Sequence, residues 1–137
     1  MRVSGTVLVI DEEGGWPAVS LVETLAADPN VSHVTVTTPE RTLGDAALTL
    51  TWEIKSVAPR LRQSGVTVLT ETLVKDVRSQ TALLANGQEI GPFDAIIVNT
   101  GTSAKAIQEG ALAVGDCVAP RGIWSATLDA ARLARTI

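Results

Sequence analysis

The chain has 137 residues, of which 45% are hydrophobic and 19% charged, and its net charge is −4 at pH 7. This composition is typical of one soluble globular domain, and the acidic balance without a basic cluster argues against nucleic-acid and anionic-membrane partners. A single cysteine excludes an intrachain disulfide, and a single histidine with a single cysteine disfavours a zinc site. No apolar run approaches the roughly 20 residues of a membrane span. From these features together a cytoplasmic protein is expected.

The first third of the chain alternates a strand, a helix and a strand. Thr6 to Ile10 is a continuous apolar run, typical of a strand buried on both faces. A helix should begin near Pro17 and end at Asp28-Pro29-Asn30. Val34 to Thr37 is rich in β-branched residues and predicts the second strand. This order implies a parallel pair joined by a right-handed crossover.

The second helix is predicted after a loop at residues 39–45. Pro59 lies inside it and should kink it or end it early. Gly65 is expected just beyond its last residue, and Val66 to Leu69 should form the third strand. The apolar residues predicted to share one face of this helix are Leu50, Ile54, Val57 and Leu61.

Three short segments then predict an antiparallel meander. They are Leu73 to Val77, Thr81 to Ala85 and Gln88 to Ile90, and Asn86-Gly87 is a strong signal for a tight hairpin. Ala95 to Val98 returns as a buried strand. We therefore predict an α/β fold, a Rossmann-like three-layer domain with a central parallel sheet, an antiparallel β-meander and a C-terminal helix.

The C-terminal helix is predicted from Ile123 to Ile137. Arg132 and Arg135 near its end favour the negative pole of the helix dipole. The residues expected to form its packing face are Ile123, Thr127, Ala130 and Ala134, with Ala126, Leu133 and Ile137 alongside.

Gly115-Asp116 ends an apolar stretch directly before that helix. A glycine permits close approach of backbone to a ligand, and an aspartate can accept hydrogen bonds from ligand hydroxyls. The free N–H groups at the start of the helix, near Ile123, offer an anion site. Such a layout suits a dinucleotide such as FAD, although a turn with a helix cap is the ordinary interpretation of the same residues.

Several segments together resemble a known family. Three segments are similar to the C-terminal part of the 2,4-dienoyl-CoA reductase and trimethylamine dehydrogenase family. They are the tail Gly115-Asp116-Cys117-Val118-Ala119-Pro120-Arg121, the hairpin and strand that end at Thr100-Gly101, and the opening Val7 to Gly14. The resemblance covers nearly all of residues 5–137. It implies one NAD(P)-type domain over 1–137, in which 114–137 correspond to the C-terminal piece of an FAD-type domain.

The resemblance implies FAD and NAD(P) as cofactors. On the flavin side the candidate residues are Gly115, Asp116, Arg121 and Ile123, with Asp116 facing a ribityl hydroxyl. On the pyridine-nucleotide side they are Gly14, Gly15, Trp16, Thr38, Arg41, Thr100 and Gly101. Glu40 could accept hydrogen bonds from an adenosine ribose, and Arg41 could pair with a 2′-phosphate. The sequence therefore leaves the choice between NAD and NADP open.

The first strand end departs from a dinucleotide fingerprint. Gly-x-Gly-x-x-Gly spacing is missing, and Asp11, Glu12 and Glu13 place negative charge where a pyrophosphate would lie. Each contact between like charges would cost about 4 kcal/mol at ~4 Å and an effective dielectric constant of ~20. Tight phosphate binding at this loop is therefore not expected unless the acidic side chains point outward.

The leading hypothesis is a nucleotide-binding module of a flavin-dependent oxidoreductase. Because the family's barrel, iron–sulfur cysteines and first FAD-domain strand are missing from the chain, we expect a fragment that is inactive by itself, whose partner is the rest of the flavoenzyme or a second copy. It has no predicted catalytic or metal residue, and whether it alone holds a cofactor is open.

Two alternatives remain. One is a non-catalytic Rossmann-like interaction or dimerisation domain that has lost cofactor binding, as the acidic first loop suggests. The other is a phosphoacceptor receiver domain, which is disfavoured because the third strand ends at Leu69-Thr70-Glu71 without an acceptor aspartate.

His33 is expected to be structural and Cys117 to be a small buried residue without a redox role. Trp16, Trp52 and Trp124 are expected in a core or an interface.

Overall fold

The computed structural model describes residues 3–105 and 110–136. It divides the chain into two compact units, residues 1–100 and 101–137. Whether the chain counts as one domain or two stays a prediction. Within the described residues, no helix combines the length and the apolar character needed to span a bilayer.

The first unit contains seven strands and three helices among its described residues. Its strands are β1 Gly5–Asp11, β2 Val31–Thr37, β3 Thr67–Leu69, β4 Val74–Arg78, β5 Thr81–Leu84, β6 Glu89–Ile90 and β7 Ala95–Asn99. Its helices are α1 Trp16–Ala27, α2 Asp45–Thr51 and α3 Ile54–Gln63. The strands predicted from the sequence are thus all present, with bounds shifted by a few residues.

Four parallel strands form the central sheet in the order β3-β2-β1-β7. Strand β1 lies in the interior of this sheet, where Val9 is opposite Val36 on one side and Ile97 on the other. Its run of apolar residues reflects burial on both faces. The α/β, Rossmann-like fold class predicted from the sequence is confirmed.

Helices cover one face of the parallel sheet. On that face Val7 and Val9 of β1 and Val34 and Val36 of β2 pack against α1, α2 and α3. The helical residues buried there are Ala18, Val19, Val22, Leu25, Leu48, Val57 and Leu61. Alternate strand residues therefore point to the helices, as the period of two in a β-strand requires.

The antiparallel meander β4-β5-β6 covers the opposite face. Leu8 and Ile10 of β1 form a second buried cluster with Ala82 and Phe93. The turn at Asn86-Gly87 joins β5 to β6, and Gly87 has a φ of 87°, as the hairpin signal predicts. The three layers are thus helices, parallel sheet and meander, and the meander lies on a face of the sheet.

The second predicted helix is in fact two helices. The break falls at Trp52, which has a left-handed φ of 62°, while Pro59 lies inside α3 without ending it. The prediction for Leu50 was wrong, because its side chain is 84% exposed whereas that of Leu48 is fully buried. The break changes which residues face the core, since it resets the helical phase before Ile54.

The second unit contains a short 3-10 helix, Gly115–Cys117, and helix α4, Ile123–Leu133. The predicted packing face of α4 was wrong, because Ile123, Thr127, Ala130 and Ala134 are exposed. The half-buried residues are Ser125, Ala126, Asp129 and Leu133. They lie on the face that meets the 3-10 helix through Gly115 and Ala126. Ile137, predicted beside them, is outside the described residues.

Candidate functional site

Asp11 organises the carboxyl end of the parallel sheet. Its side chain is 1% exposed, and its Oδ1 accepts hydrogen bonds from the backbone N–H groups of Glu13, at 3.2 Å, and Gly14, at 3.1 Å. Asn99 Nδ2 donates to the same oxygen at 3.0 Å, and Thr38 Oγ1 donates to Oδ2 at 3.3 Å. One carboxylate therefore joins the ends of β1, β2 and β7.

This arrangement uses donors that a dinucleotide-binding loop would offer to phosphate. The N–H groups of Glu13 and Gly14 point to Asp11, and the side chain of Glu40 packs beside Gly14, where an added Cβ would lie 3.1 Å from Glu40 Cγ. Glu12 and Glu13 are exposed. Two of the loop's N–H donors are therefore occupied and its surroundings are acidic, which disfavours the pyrophosphate of NAD(P) at this loop.

The other candidates on the pyridine-nucleotide side lie around this loop. Gly14 has a φ of 72°, and Gly15 is the N-cap of α1 without a side-chain cap. Trp16 begins α1 and is 37% exposed. Thr38 is fully buried, so its hydroxyl serves the Asp11 network and does not face a ligand.

Three further candidates are accessible. Arg41 is exposed in the loop between β2 and α2, and Thr100 is exposed directly after β7. Gly101 is exposed with a φ of 79° and is the first residue of the second unit. Asp11 thus brings Gly14 and Thr38 together through hydrogen bonds, whereas the side chains of Arg41 and Thr100 make no hydrogen bond to Asp11 within the described residues.

On the flavin side, Asp116 holds the turn that precedes α4. Its Oδ1 accepts hydrogen bonds from the backbone N–H groups of Arg121 and Gly122, both at 3.0 Å. Asp116 is exposed, and within the described residues nothing donates to its Oδ2. One oxygen therefore fixes the backbone, and the other remains accessible to a hydroxyl group.

Gly115 is buried against α4, where a Cβ at this position would lie 2.7 Å from the Cβ of Ala126. Its φ is 72°, which glycine adopts without strain. The close approach that the glycine permits is thus to the helix. Arg121 pairs with Asp129 of α4 through Nη2 and Oδ2 at 2.6 Å.

Helix α4 begins with open N–H groups. Its N-cap, Gly122, provides no side-chain hydrogen bond, and Ile123, the first helical residue, is 86% exposed. With Asp116 these groups make a donor and acceptor set suited to a hydroxyl and a phosphate. The second unit thus combines an exposed carboxylate with a helix start that has no side-chain cap.

Sequence reasoning missed Asn99 and Asp129. Asn99 ends β7 opposite Asp11 in the parallel register, which was a readable signal once both strands were predicted. Asp129 had no such signal, and the sequence, which offered Glu40 to a ribose, did not indicate that its side chain packs beside Gly14. His33 is structural, as expected: its Nε2 lies 2.9 Å from Thr67 Oγ1 on the adjacent strand. Cys117 is half-buried and its Sγ donates to the carbonyl of Val114.

Comparison with protein-family models and with curated proteins gives no match. Solved structures of similar fold include histamine dehydrogenase from Rhizobium, with 20% sequence identity and a TM-score of 0.76. Another is a 6-hydroxypseudooxynicotine amine oxidase from Pseudomonas geniculata, with 20% sequence identity and a TM-score of 0.79. A ferredoxin reductase from Rhodopseudomonas palustris matches 71% of this chain and 24% of its own, at 17% identity and a TM-score of 0.60. These likenesses establish the fold.

The first two likenesses include both units of the chain. Each covers 96% of this chain, but only 23% of the histamine dehydrogenase and 22% of the amine oxidase. The chain thus spans less than a quarter of the length of these structural relatives.

Proposed function

We propose that this chain is a nucleotide-binding module of a flavin-dependent oxidoreductase and that it works as part of a larger enzyme. The main support is Asp116, whose Oδ1 holds the turn before α4 while its Oδ2 has no partner among the described residues. The similarity in fold to oxidoreductases over both units agrees with this role. The trimethylamine dehydrogenase and 2,4-dienoyl-CoA reductase family, which the sequence resembles, is the specific assignment that we favour.

The proposed flavin contacts lie in the second unit. Asp116 Oδ2 accepts a hydrogen bond from a ribityl hydroxyl, and the N–H groups at the start of α4, beginning with Ile123, face a phosphate. Arg121, held by Asp129, adds positive charge beside that helix start. Gly115 serves the site indirectly, since it lets the Asp116 turn approach α4.

The proposed pyridine-nucleotide contacts are fewer. Arg41 and Thr100 remain accessible to a nucleotide, Gly101 directly follows Thr100, and Gly15 and Trp16 lie at the start of α1. Because Asp11 occupies the N–H groups of Glu13 and Gly14, we expect NADH and NADPH to bind more weakly than FAD. Bound flavin supplies the electron-transfer chemistry, and the residues of this chain bind and orient it.

Calorimetric titration of the chain with FAD, ADP, NADH and NADPH tests the proposal. We expect FAD to bind and Asp116→Ala to weaken it about tenfold, the value of one hydrogen bond to a charged group. Asp76→Ala is the matched control, because Asp76 is an exposed aspartate on β4 that pairs with Arg78. The Asp76→Ala variant should bind FAD with the same affinity as the unchanged chain.

If none of the four nucleotides bound detectably, the proposal would be contradicted. Equal FAD affinity in the Asp116→Ala variant would remove Asp116 from the site. A chain that binds no nucleotide and associates with itself through α4 would instead match a non-catalytic interaction domain.

A further inference from the structure

A cavity of about 330 Å³ lies at the β3 edge of the parallel sheet, between α3 and the loop that follows β2. Its floor is apolar and comes from buried or half-buried side chains of all three elements, namely Leu43, Val57, Leu61 and Val68. Because β3 is only three residues long and is the edge strand, no further strand closes this side. The volume is within the range of about 300 to 1,000 Å³ in which proteins hold small molecules.

The rim of the cavity is polar and positively charged. Arg41 and Arg62 both line it, and neither has an ion pair among the described residues. Thr42 lines it as well, and its Oγ1 is buried without a hydrogen-bond partner in the described part of the chain. Because this oxygen is enclosed by the protein, the charge that faces the cavity comes from the two arginines.

The nearest acid in sequence does not neutralise this rim. Glu40 precedes Arg41, but its side chain packs beside Gly14 at the end of β1. The protein carries a net charge of −4, so two unpaired arginines around one apolar cavity are a local departure from the overall charge. Their guanidinium groups can pair with a carboxylate in a bidentate manner.

We propose that this cavity binds a small aliphatic monocarboxylate, with its hydrocarbon body on the apolar floor and its carboxylate at Arg41 and Arg62. All the residues that line it belong to the first unit, and they include Arg41, so a carboxylate here and a nucleotide phosphate would compete for that side chain. None of the Asp11 network residues lines it.

A monoanion suits the rim better than a dianionic phosphate. The residues that α3 contributes come from its middle and its C-terminal end, with Arg62 in the last turn. The C-terminal end of a helix carries partial negative charge and exposes carbonyl groups. No helix N-terminus, the usual source of N–H donors for phosphate, is among the lining residues.

The experiment is calorimetric titration of the full chain with octanoate and with the neutral probe octan-1-ol. We expect saturable binding of octanoate at one site, about tenfold tighter than octan-1-ol, because a hydrogen bond to a charged group is worth about that factor. The double variant Arg41→Gln and Arg62→Gln should lose this preference and retain the affinity for octan-1-ol. Both substituted side chains are exposed, so the fold is expected to persist.

Two further variants complete the design. Ala58→Phe narrows the cavity from α3 and should abolish binding of both probes. Arg78→Gln removes an exposed arginine of β4 that does not line the cavity, and it should leave both affinities unchanged.

Three outcomes would overturn the proposal. The first is octanoate that binds no more tightly than octan-1-ol, and the second is a preference for octanoate that survives in the double glutamine variant. The third is an octanoate affinity that Ala58→Phe leaves unchanged, which would place the binding site outside this cavity.

Discussion

Two aspartate side chains secure the ends of β1. At the carboxyl end Asp11 receives hydrogen bonds from Gly14, Thr38 and Asn99. At the start, Asp94 Oδ2 accepts hydrogen bonds from the backbone N–H of Thr6, at 2.7 Å, and from Thr6 Oγ1, at 2.9 Å. Side chains therefore tie β1 to the residues around β7 at both of its ends, in addition to the ladder between the strands.

Asp94 should make stability depend on pH in the acid range. The backbone hydrogen bond from Thr6, and then that from its hydroxyl, lower the pKa of Asp94 below its ordinary value of 3.8, against a small opposing effect of burial. A depressed pKa in the folded state means that the stabilisation is present above pH 3.8 and is lost as pH falls through the folded-state pKa. We predict that Asp94→Asn lowers the melting temperature at neutral pH.

The difference in melting temperature between the unchanged chain and Asp94→Asn should shrink as the pH is lowered below 3.8. Asparagine keeps the shape and one acceptor oxygen, so the pH-dependent part of the difference reports the charge. Asp76→Asn, at an exposed position, is the control. A difference that stays constant from neutral to acid pH would contradict this assignment.

At the scale of elements, the break between α2 and α3 has the largest effect on the core. Trp52 adopts a left-handed φ of 62°, a conformation that costs a non-glycine residue about 1–2 kcal/mol. The indole is 72% exposed and has Lys55 Nζ 4.6 Å from its ring centroid. Helix α2 therefore ends at Thr51, and α3 begins in a new phase that buries Val57 and Leu61.

Two leucines of α2 provide a matched test of this packing. Leu48 is fully buried in the core between α1 and α3, whereas Leu50, two residues later, is 84% exposed. We predict that Leu48→Ala lowers the free energy of unfolding by about 2–5 kcal/mol, as for buried leucines generally. Leu50→Ala should change it by less than about 0.5 kcal/mol. Urea denaturation measures both, and equal losses would show that Leu50 is part of the core.

At the scale of the whole chain, the hydrophobic core belongs to the first unit. Both buried clusters lie within residues 1–100. Helix α4 has no fully buried residue, and its exposed apolar side chains include Ile123 and Trp124. An isolated helix of this length is marginal in water, so α4 depends on contacts outside itself.

Residues 1–100 should therefore fold without the second unit. We predict that this shortened chain retains a single cooperative thermal transition, because the parallel sheet, the three helices over it and the meander are all within it. Residues 101–137 alone should show little helix by circular dichroism. Loss of cooperative melting on truncation would mean that the C-terminal unit supplies part of the core.

Much of the fold could be predicted from local patterns. The apolar run of β1, the β-branched residues of β2 and the Asn86-Gly87 turn each reflect short-range preferences that persist in the folded chain. The end of α2 could not be predicted in this way, since Trp52 has no intrinsic preference for a left-handed φ. Leu48 and Val57, on either side of this break, are buried in the same cluster.

The candidate site divides in the same manner. The order of residues alone indicated that Asp116 precedes a helix and that acids follow β1, and both features are local in the chain. That Thr38 and Asn99 donate hydrogen bonds to Asp11, and that Arg41 and Arg62 border one cavity, was decided by tertiary structure. The physical reason is that hydrogen bonds and cavities of this kind join residues from different elements, whose separation in space depends on how the strands and helices pack.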